Sequence, residues 1–389
     1  MRRLYTALLA CSLLPLSLLA GCSQEGTSTS ESTAAANPAA AKTNVVDGDQ
    51  LKKRLDDAIA FTKTRVLNAN QNNTWQIMHG ILAYGHDLKM QANGQVVPAL
   101  EWMMAGGQVA GWTLRPGDHG LDAVLEAGTK SGQGHEDQWL GYMSQTGLDP
   151  DQPIIVGGKT FKFADLISQT QWDIYPGMEA TWTLMGLSSY LPLDTKWTAK
   201  DGQEWTIERI VAQESAENLN ESACGGTHRM YGLAMAMNRY LSEGKKPEGG
   251  WLAAEKKIKQ AIEDAHRYQQ PDGLFSTSYF ARSGSSPDIA LQMSTTGHVF
   301  EFLAMGMTDE EIKQPWMTEA ANALCGLFEE TREMPVECAS LYHAAHGLIL
   351  YRLRRFGPPE AVVSEPAGSQ QTPATQAVAP TNEPSTLAR

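Results

Sequence analysis

The chain has 389 residues, 42% of them hydrophobic, which is enough apolar material to bury a large core. Its formal net charge of −13 argues against a nucleic-acid partner, because a phosphate backbone calls for a concentrated basic surface. The sequence contains no phosphate-binding glycine loop, no nucleotide fingerprint and no Gly-x-Ser-x-Gly elbow.

In chain order, Arg2 and Arg3 supply a positive start and Leu4 to Leu19 an apolar run, the pattern of a secretory signal. The run is shorter than the ~20 apolar residues a membrane-spanning helix needs. It ends in Leu19-Ala20-Gly21-Cys22. That tetrad resembles the bacterial lipobox, a resemblance that implies a signal peptide over 1–21, acylation of Cys22 and membrane lipid as the partner of that residue. A plain secretory signal with an incidental cysteine is the alternative. Ser23 rather than an aspartate follows, which by the same resemblance favours the outer over the inner membrane of the cell envelope. Residues 22–46, rich in Ser, Thr and Ala, read as a flexible linker. Residues 358–389, rich in Pro, Ala and Thr, read as a disordered tail. The folded domain is expected over 47–357.

Within that domain, apolar residues recur three and four apart between Gly, Pro and Asp breaks. The pattern predicts helices near 50–67, 74–85, 98–105, 119–127, 135–146, 162–170, 178–190, 206–218, 227–242, 251–269, 294–306, 309–330 and 337–355. Two hairpins interrupt them, over 154–161 with a Gly157-Gly158 turn and over 197–205 with an Asp201-Gly202 turn. The expected class is all-α with two small β-hairpin insertions. Six of nine histidines (His79, His119, His135, His228, His298 and His346) fall at predicted helix starts, most beside glycine, as a weak internal repeat would place them.

The segment Gln269-Gln270-Pro271-Asp272-Gly273-Leu274-Phe275 has the form Gln-x-x-x-Gly-x-aromatic. It resembles the repeat linking outer to inner helices in the squalene cyclase and prenyltransferase type of α/α toroid. The resemblance implies a ring of antiparallel helix pairs. It does not extend to cyclisation chemistry, since no Asp-x-Asp-Asp run is present. In such a ring, up-down counting puts His228, His298 and His346 at one mouth and sends His79 and His119 to the other.

Three stretches carry candidate chemistry. In Ser222-Ala223-Cys224-Gly225-Gly226-Thr227-His228-Arg229, a Cys and a His four apart suit zinc or a low-pKa thiolate. A tight glycine connection with His228 on backbone and Cys224 packed or oxidised explains the same residues. Cys338 with His343 and His346 adds a second set; lanthionine-synthetase-like toroids hold zinc with two Cys and one His. An exported compartment favours a Cys224–Cys338 disulfide instead, so no metal or cofactor is assigned. His298 and Glu301, three apart on one helical face, suit an acid–base pair. Trp75, Trp182, Arg229 and His346 are candidate binding residues, on the view that tryptophans line a sugar site. The expected function is therefore an anchored toroid enzyme with His228, His298 and Glu301 as catalytic groups, acting on a polysaccharide or a small molecule of the envelope. A non-catalytic binding or scaffolding lipoprotein is the alternative.

Overall fold

The computed structural model describes residues 48–112, 114–126 and 131–358. The expected signal (1–21), linker (22–46) and all but the first residue of the tail (358–389) lie outside them. Twelve α-helices and four small sheets are present among the described residues. The helices are α1 (Gly48–Lys63), α2 (Thr74–Tyr84), α3 (Ala99–Met104), α4 (Gln138–Met143), α5 (Phe163–Asp173) and α6 (Thr181–Tyr190), followed by α7 (Ile207–Ala216), α8 (Thr227–Ser242), α9 (Gly249–Arg267), α10 (Ile289–Gly306), α11 (Pro315–Glu330) and α12 (Cys338–Phe356). None of them is long and apolar enough to cross a membrane.

Local chemistry explains where the central helices begin. Asn73 caps α2 through the Gln76 N–H, while the Gln76 side chain accepts the Asn73 N–H at 3.1 Å, a reciprocal capping box. Asp288 caps α10, Pro315 opens α11 and the Glu337 carboxylate accepts the Ser340 N–H to start α12. The even-numbered helices are buried along most of their length; α2 buries every residue from Ile77 to Ala83. The odd-numbered α1, α7 and α9 are amphipathic, with Leu51, Leu55 and Ala58 forming the inner face of α1. Consecutive even helices pack on one another, from α2 to α4, α6, α8, α10 and α12, and α12 packs on α2. The odd helices lie against these, α9 on α8 and α7, and α1 on α12 and α11.

Both expected hairpins form, as Pro153–Val156 with Lys159–Lys162 and Lys196–Thr198 with Glu204–Thr206. Two more were not expected. Lys89–Ala92 pairs with Gln95–Pro98 around an Asn93-Gly94 turn in which both residues have positive φ. Leu114–Pro116 pairs with Leu121–Ala123 where a helix over 119–127 was predicted. Leu121, Val124 and Leu125 have helical spacing, but Leu121 is fully buried and Leu125 is 41% exposed, so they share no face. Arg115 instead bonds Asp122 across the strands at 2.8 Å. His79, which the up-down count sent away from His228, instead lies 5.2 Å from the His343 ring, itself 5.1 Å from that of His228.

The histidines also sit differently within their helices. Only His228 lies in a first turn. His79, His298 and His346 are deeper, because α10 begins at Ile289 and α12 at Cys338.

Contact between α10 and α12 is the most extensive between two helices among the described residues. A Cβ on Gly297 would come within 2.9 Å of the Ala344 Cα, and one on Gly347 within 3.0 Å of the Glu301 Cα. Backbone faces backbone, with no flexible side chain to yield. Gly297→Ala is therefore expected to destabilise the protein by about 1–3 kcal/mol through overpacking. Gly326→Ala, whose nearest neighbour is the Arg54 guanidinium at 3.8 Å, should gain roughly 0.5–1 kcal/mol from helix propensity. Urea unfolding of the two variants checks this; a neutral Gly297→Ala would mean that α10 and α12 are not in backbone contact.

Candidate functional site

The site starts from a backbone irregularity. Cys224, Gly225 and Gly226, in the turn ahead of α8, have φ of 48°, 61° and 78°. For a cysteine the left-handed region costs on the order of 1 kcal/mol or more. Gly225 has no room for a side chain, since a Cβ there would stand 2.2 Å from the Tyr279 ring. The Thr227 hydroxyl donates to the Cys224 carbonyl at 2.9 Å and locks the turn onto the helix. The turn delivers the Cys224 thiol to His228 of α8 and His298 of α10: one ligating atom from each lies within 4.8 Å of the others.

Around this trio the imidazoles crowd. The ring of His228 is 5.0 Å from those of His298 and Trp182, 5.1 Å from His343 and 6.1 Å from His135. His298 and His343 are 4.2 Å apart. Carbonyl and carboxylate partners, which only accept, fix most tautomers. His298 Nδ1 donates to the Ser294 carbonyl at 2.6 Å and His79 Nδ1 to the Trp75 carbonyl at 2.6 Å. His343 and His346 each donate from Nδ1 to a separate oxygen of Glu301, both at 2.7 Å. The Tyr142 hydroxyl lies 3.1 Å from His79 Nε2 and 3.2 Å from His343 Nε2. It has one proton for two acceptor nitrogens. His79, Tyr142, His343, Glu301 and His346 thus form a continuous chain along which a proton can be shared.

His228 is the exception. It is 6% exposed, and both ring nitrogens are buried without a hydrogen-bond partner. An unmet buried donor or acceptor costs roughly 1–3 kcal/mol, and this ring leaves two.

The electrostatics follow from burial and these contacts. Burial and the neighbouring rings of His298, His343, His135 and His79 hold His228 well below its ordinary value, so it is neutral. Burial would raise the Cys224 thiol, but His298 facing it lowers it overall. Burial alone would lower His298, yet the thiol opposite raises it to about 9. Burial pushes Glu301 up, whereas the two N–H donors of His343 and His346 bring it down to about 2. Glu301 is an anion 4% exposed in the interior, sustained by those donors.

The structure places His228 and His298 side by side and Glu301 on the same small void as His228, but His298 and Glu301 form no pair: Glu301 bonds the two α12 histidines, and His298 bonds its own helix. His346 belongs to that carboxylate. Trp182 is fully buried against His228, His135 and Tyr142, and Trp75 lies over His79 at 4.2 Å. Trp182 is a wall, not a sugar platform. Arg229 is committed to a buried ion pair with Glu214 and a bond to the Ser222 hydroxyl, which leaves no cation for a ligand. Cys224, Cys325 and Cys338 are all thiols, and the expected Cys224–Cys338 disulfide is not formed. Cys338 lies outside the Cys224–His228–His298 trio, so the two-cysteine zinc set is not assembled either.

Sequence reasoning missed Tyr142, the His135–Glu179 pair (2.8 Å) and Asp137. Asp137 has φ of 58° and accepts hydroxyl bonds from Thr170 at 2.8 Å and Thr183 at 2.5 Å. Nothing in the run Gly134-His135-Glu136-Asp137 announces threonines 33 and 46 residues away.

Two spaces adjoin these residues. A void of about 10 Å³ is lined by Tyr142, Trp182, His228, Tyr231, Glu301 and His343 among others, room for about one water. A groove of about 330 Å³ is lined by Arg115, Asp122, Glu136, Asp137, Asp173, Tyr175 and Lys200 among others.

Comparison with known proteins gives the chain no relatives to borrow a role from: no family model, no curated protein and no solved structure matches it.

Burial raises the Asp137 carboxyl from 3.8 to about 6. A carboxyl whose folded value lies above its unfolded one stabilises the fold when protonated; the effect is complete below the unfolded value and lost as pH rises through the folded one. Relative to Asp137→Asn, the wild type should therefore gain stability as pH falls from neutral to about 4. Urea midpoints across that range check it, and parallel curves for the two proteins would contradict the burial assigned to Asp137.

Proposed function

We propose that the chain is an exported lipoprotein, anchored through acylated Cys22 in the cell envelope, whose folded part is an α/α toroid enzyme acting on a hydroxyl-rich envelope molecule of the polysaccharide class. The toroid reading is supported by the packing order of the even helices, which returns from α12 to α2. The Gln269–Phe275 segment agrees with it. Gln269 donates to the Gly273 and Trp316 carbonyls, and the Phe275 N–H donates to Thr296 of α10, so the turn ties an odd helix to an even one.

One observation carries the enzyme reading: the desolvated, unpartnered His228 beside a half-buried thiol. A purely structural core gains nothing from leaving two ring nitrogens unmet. His228 and His298 are the acid–base candidates, while Glu301 positions His343 and His346 and acts through them. The neighbouring groove is the natural place for substrate, because its acids, Arg115, Lys200 and Tyr175 offer both donors and acceptors to hydroxyls. Glu136 and Met178 of that groove are the chain neighbours of His135 and Glu179, and the His135 ring is 6.1 Å from that of His228.

The small size of the inner void favours the second reading, a binding or scaffolding lipoprotein. It admits a water, not a sugar, so a substrate has to react at the edge of the cluster rather than inside it.

The test has two arms. Cys22→Ala should release the chain from the membrane fraction of an expressing cell. Full-length protein should alter one of a panel of envelope polysaccharides, read as new reducing or unsaturated ends, with His298→Ala slowing it by roughly 100-fold or more. Equal turnover by His298→Ala would remove the cluster from catalysis. Groove-dependent binding without turnover, lost in Tyr175→Ala, would establish the scaffold.

A further inference from the structure

The buried trio at the head of α8 has the composition and geometry of a metal centre. Its donors are one thiol and two imidazoles, each on a different turn of backbone: the left-handed turn before α8, the first turn of α8 and the middle of α10. Such borderline-soft donors select zinc over the hard cations calcium and magnesium, which take oxygen. The ligating atoms lie within 4.8 Å of one another; around a tetrahedral zinc ion they would stand about 3.5 Å apart. The closure required is small, and it falls on the Cys224–Gly226 turn, where two glycines can supply it.

Two further observations point to a ligand independently of that proximity. His228 is buried with neither nitrogen partnered, which is the state of an imidazole whose partner is not a protein atom. His298 is held through Nδ1 by the Ser294 carbonyl at 2.6 Å, leaving Nε2 for the thiol side. Metal-binding histidines are oriented by a backbone carbonyl in just this way. The neighbouring imidazoles stand outside the group whose ligating atoms meet: Tyr142 takes Nε2 of His79 and of His343, His346 bonds Glu301, and His135 bonds Glu179.

We propose that Cys224, His228 and His298 bind one zinc ion through Sγ and one nitrogen of each ring. On binding, the protons carried by Cys224 Sγ and by His298 Nε2 pass to solvent; Cys224 ligates as thiolate and His298 as a neutral ring that keeps its Nδ1–H on the Ser294 carbonyl, with no change of oxidation state. Three protein ligands leave a fourth position, the mark of a reactive rather than a purely structural zinc site. Cys224 is only half-buried, so that position can be reached by water or by a substrate oxygen. The assignment deepens the enzyme reading above by changing the part that His228 and His298 play in it: as ligands they hold the ion, and proton transfer passes to a water at the fourth position. Only the use of that position rests on the enzyme reading; the metal site itself stands on the donor set.

Metal binding is measured on the full chain, purified in detergent under reducing conditions, stripped with chelator and titrated with zinc or cobalt(II) alone. The expected result is one equivalent bound, and with cobalt the visible bands of a tetrahedral ion plus a thiolate charge-transfer band in the near ultraviolet. Cys224→Ser should abolish the charge-transfer band and weaken zinc by roughly 100-fold or more. Cys338→Ser should change neither. His298→Gln provides a second ligand variant, and circular dichroism of each establishes that it is folded. Absence of stoichiometric metal in folded wild type, or binding that Cys224→Ser and His298→Gln leave intact, overturns the proposal. Polysaccharide turnover persisting in metal-free protein would overturn only the role of the fourth position, and a metal-loaded protein without turnover would leave the site standing while removing the enzyme reading.

Discussion

The carboxylate of Glu301 lies in the interior of a helical protein, and an unpaired anion there would cost several kcal/mol. It is tolerated because α10 and α12 meet backbone to backbone at Gly297 and Gly347, which brings His343 and His346 close enough to give it two charge-assisted bonds. From this contact the rest of the cluster follows. With its Nδ1 committed to Glu301, His343 turns Nε2 toward Tyr142 on α4, and Tyr142 reaches His79 on α2. The same approach of α10 sets His298 against the Cys224 turn. A larger residue at either glycine would separate the carboxylate from its donors.

Several buried donors, among them the indole N–H groups of Trp139, Trp182 and Trp205, have no hydrogen-bond partner, but among the described residues only His228 leaves both nitrogens of a titratable ring unmet. One Tyr142 proton serves two imidazole nitrogens, so the chain from His79 to His346 has two nearly equivalent arrangements, and small changes in the surroundings can move a proton along it. His228 has no protein partner at all. A buried network that is nearly but not wholly satisfied is poor at holding a fold together and well suited to exchanging protons or ligands. Glu214 shows the opposite economy: it binds Arg229, the Ala180 N–H and the Thr181 hydroxyl, and so fastens α7, α6 and α8 together without any spare valence.

Much of the helical fold was legible in the sequence because its periodicity is strong: α8 matches its expected span, and most other helices begin or end within a few residues of theirs. The false helix at 119–127 arose from Leu121, Val124 and Leu125, whose spacing fits a helix although the chain there folds back as a hairpin. The Asn93-Gly94 turn was present in the sequence as a strong local signal and went unread. At the site, the Cys224–His228 stretch could be picked out from its paired glycines, and His298 and Glu301 from their spacing. What could not be read was which partner each would take. Glu301 lies one helical turn from His298, yet its oxygens go to α12, because side-chain direction on a buried helix is set by the neighbouring helix rather than by the sequence around it. Tyr142 and Asp137 lacked any local pattern for the same reason.

The central claim, that one anionic carboxylate organises imidazoles from distant segments around a common centre, is tested most directly by nitrogen-15 NMR of the histidine side chains at neutral pH. The account predicts His343 and His346 as slowly exchanging Nδ1–H tautomers with strongly downfield ring protons that move together in Glu301→Gln, while His86, which is largely exposed, does not respond. Rapidly exchanging rings at His343 and His346, or ring protons that ignore Glu301→Gln, would contradict it.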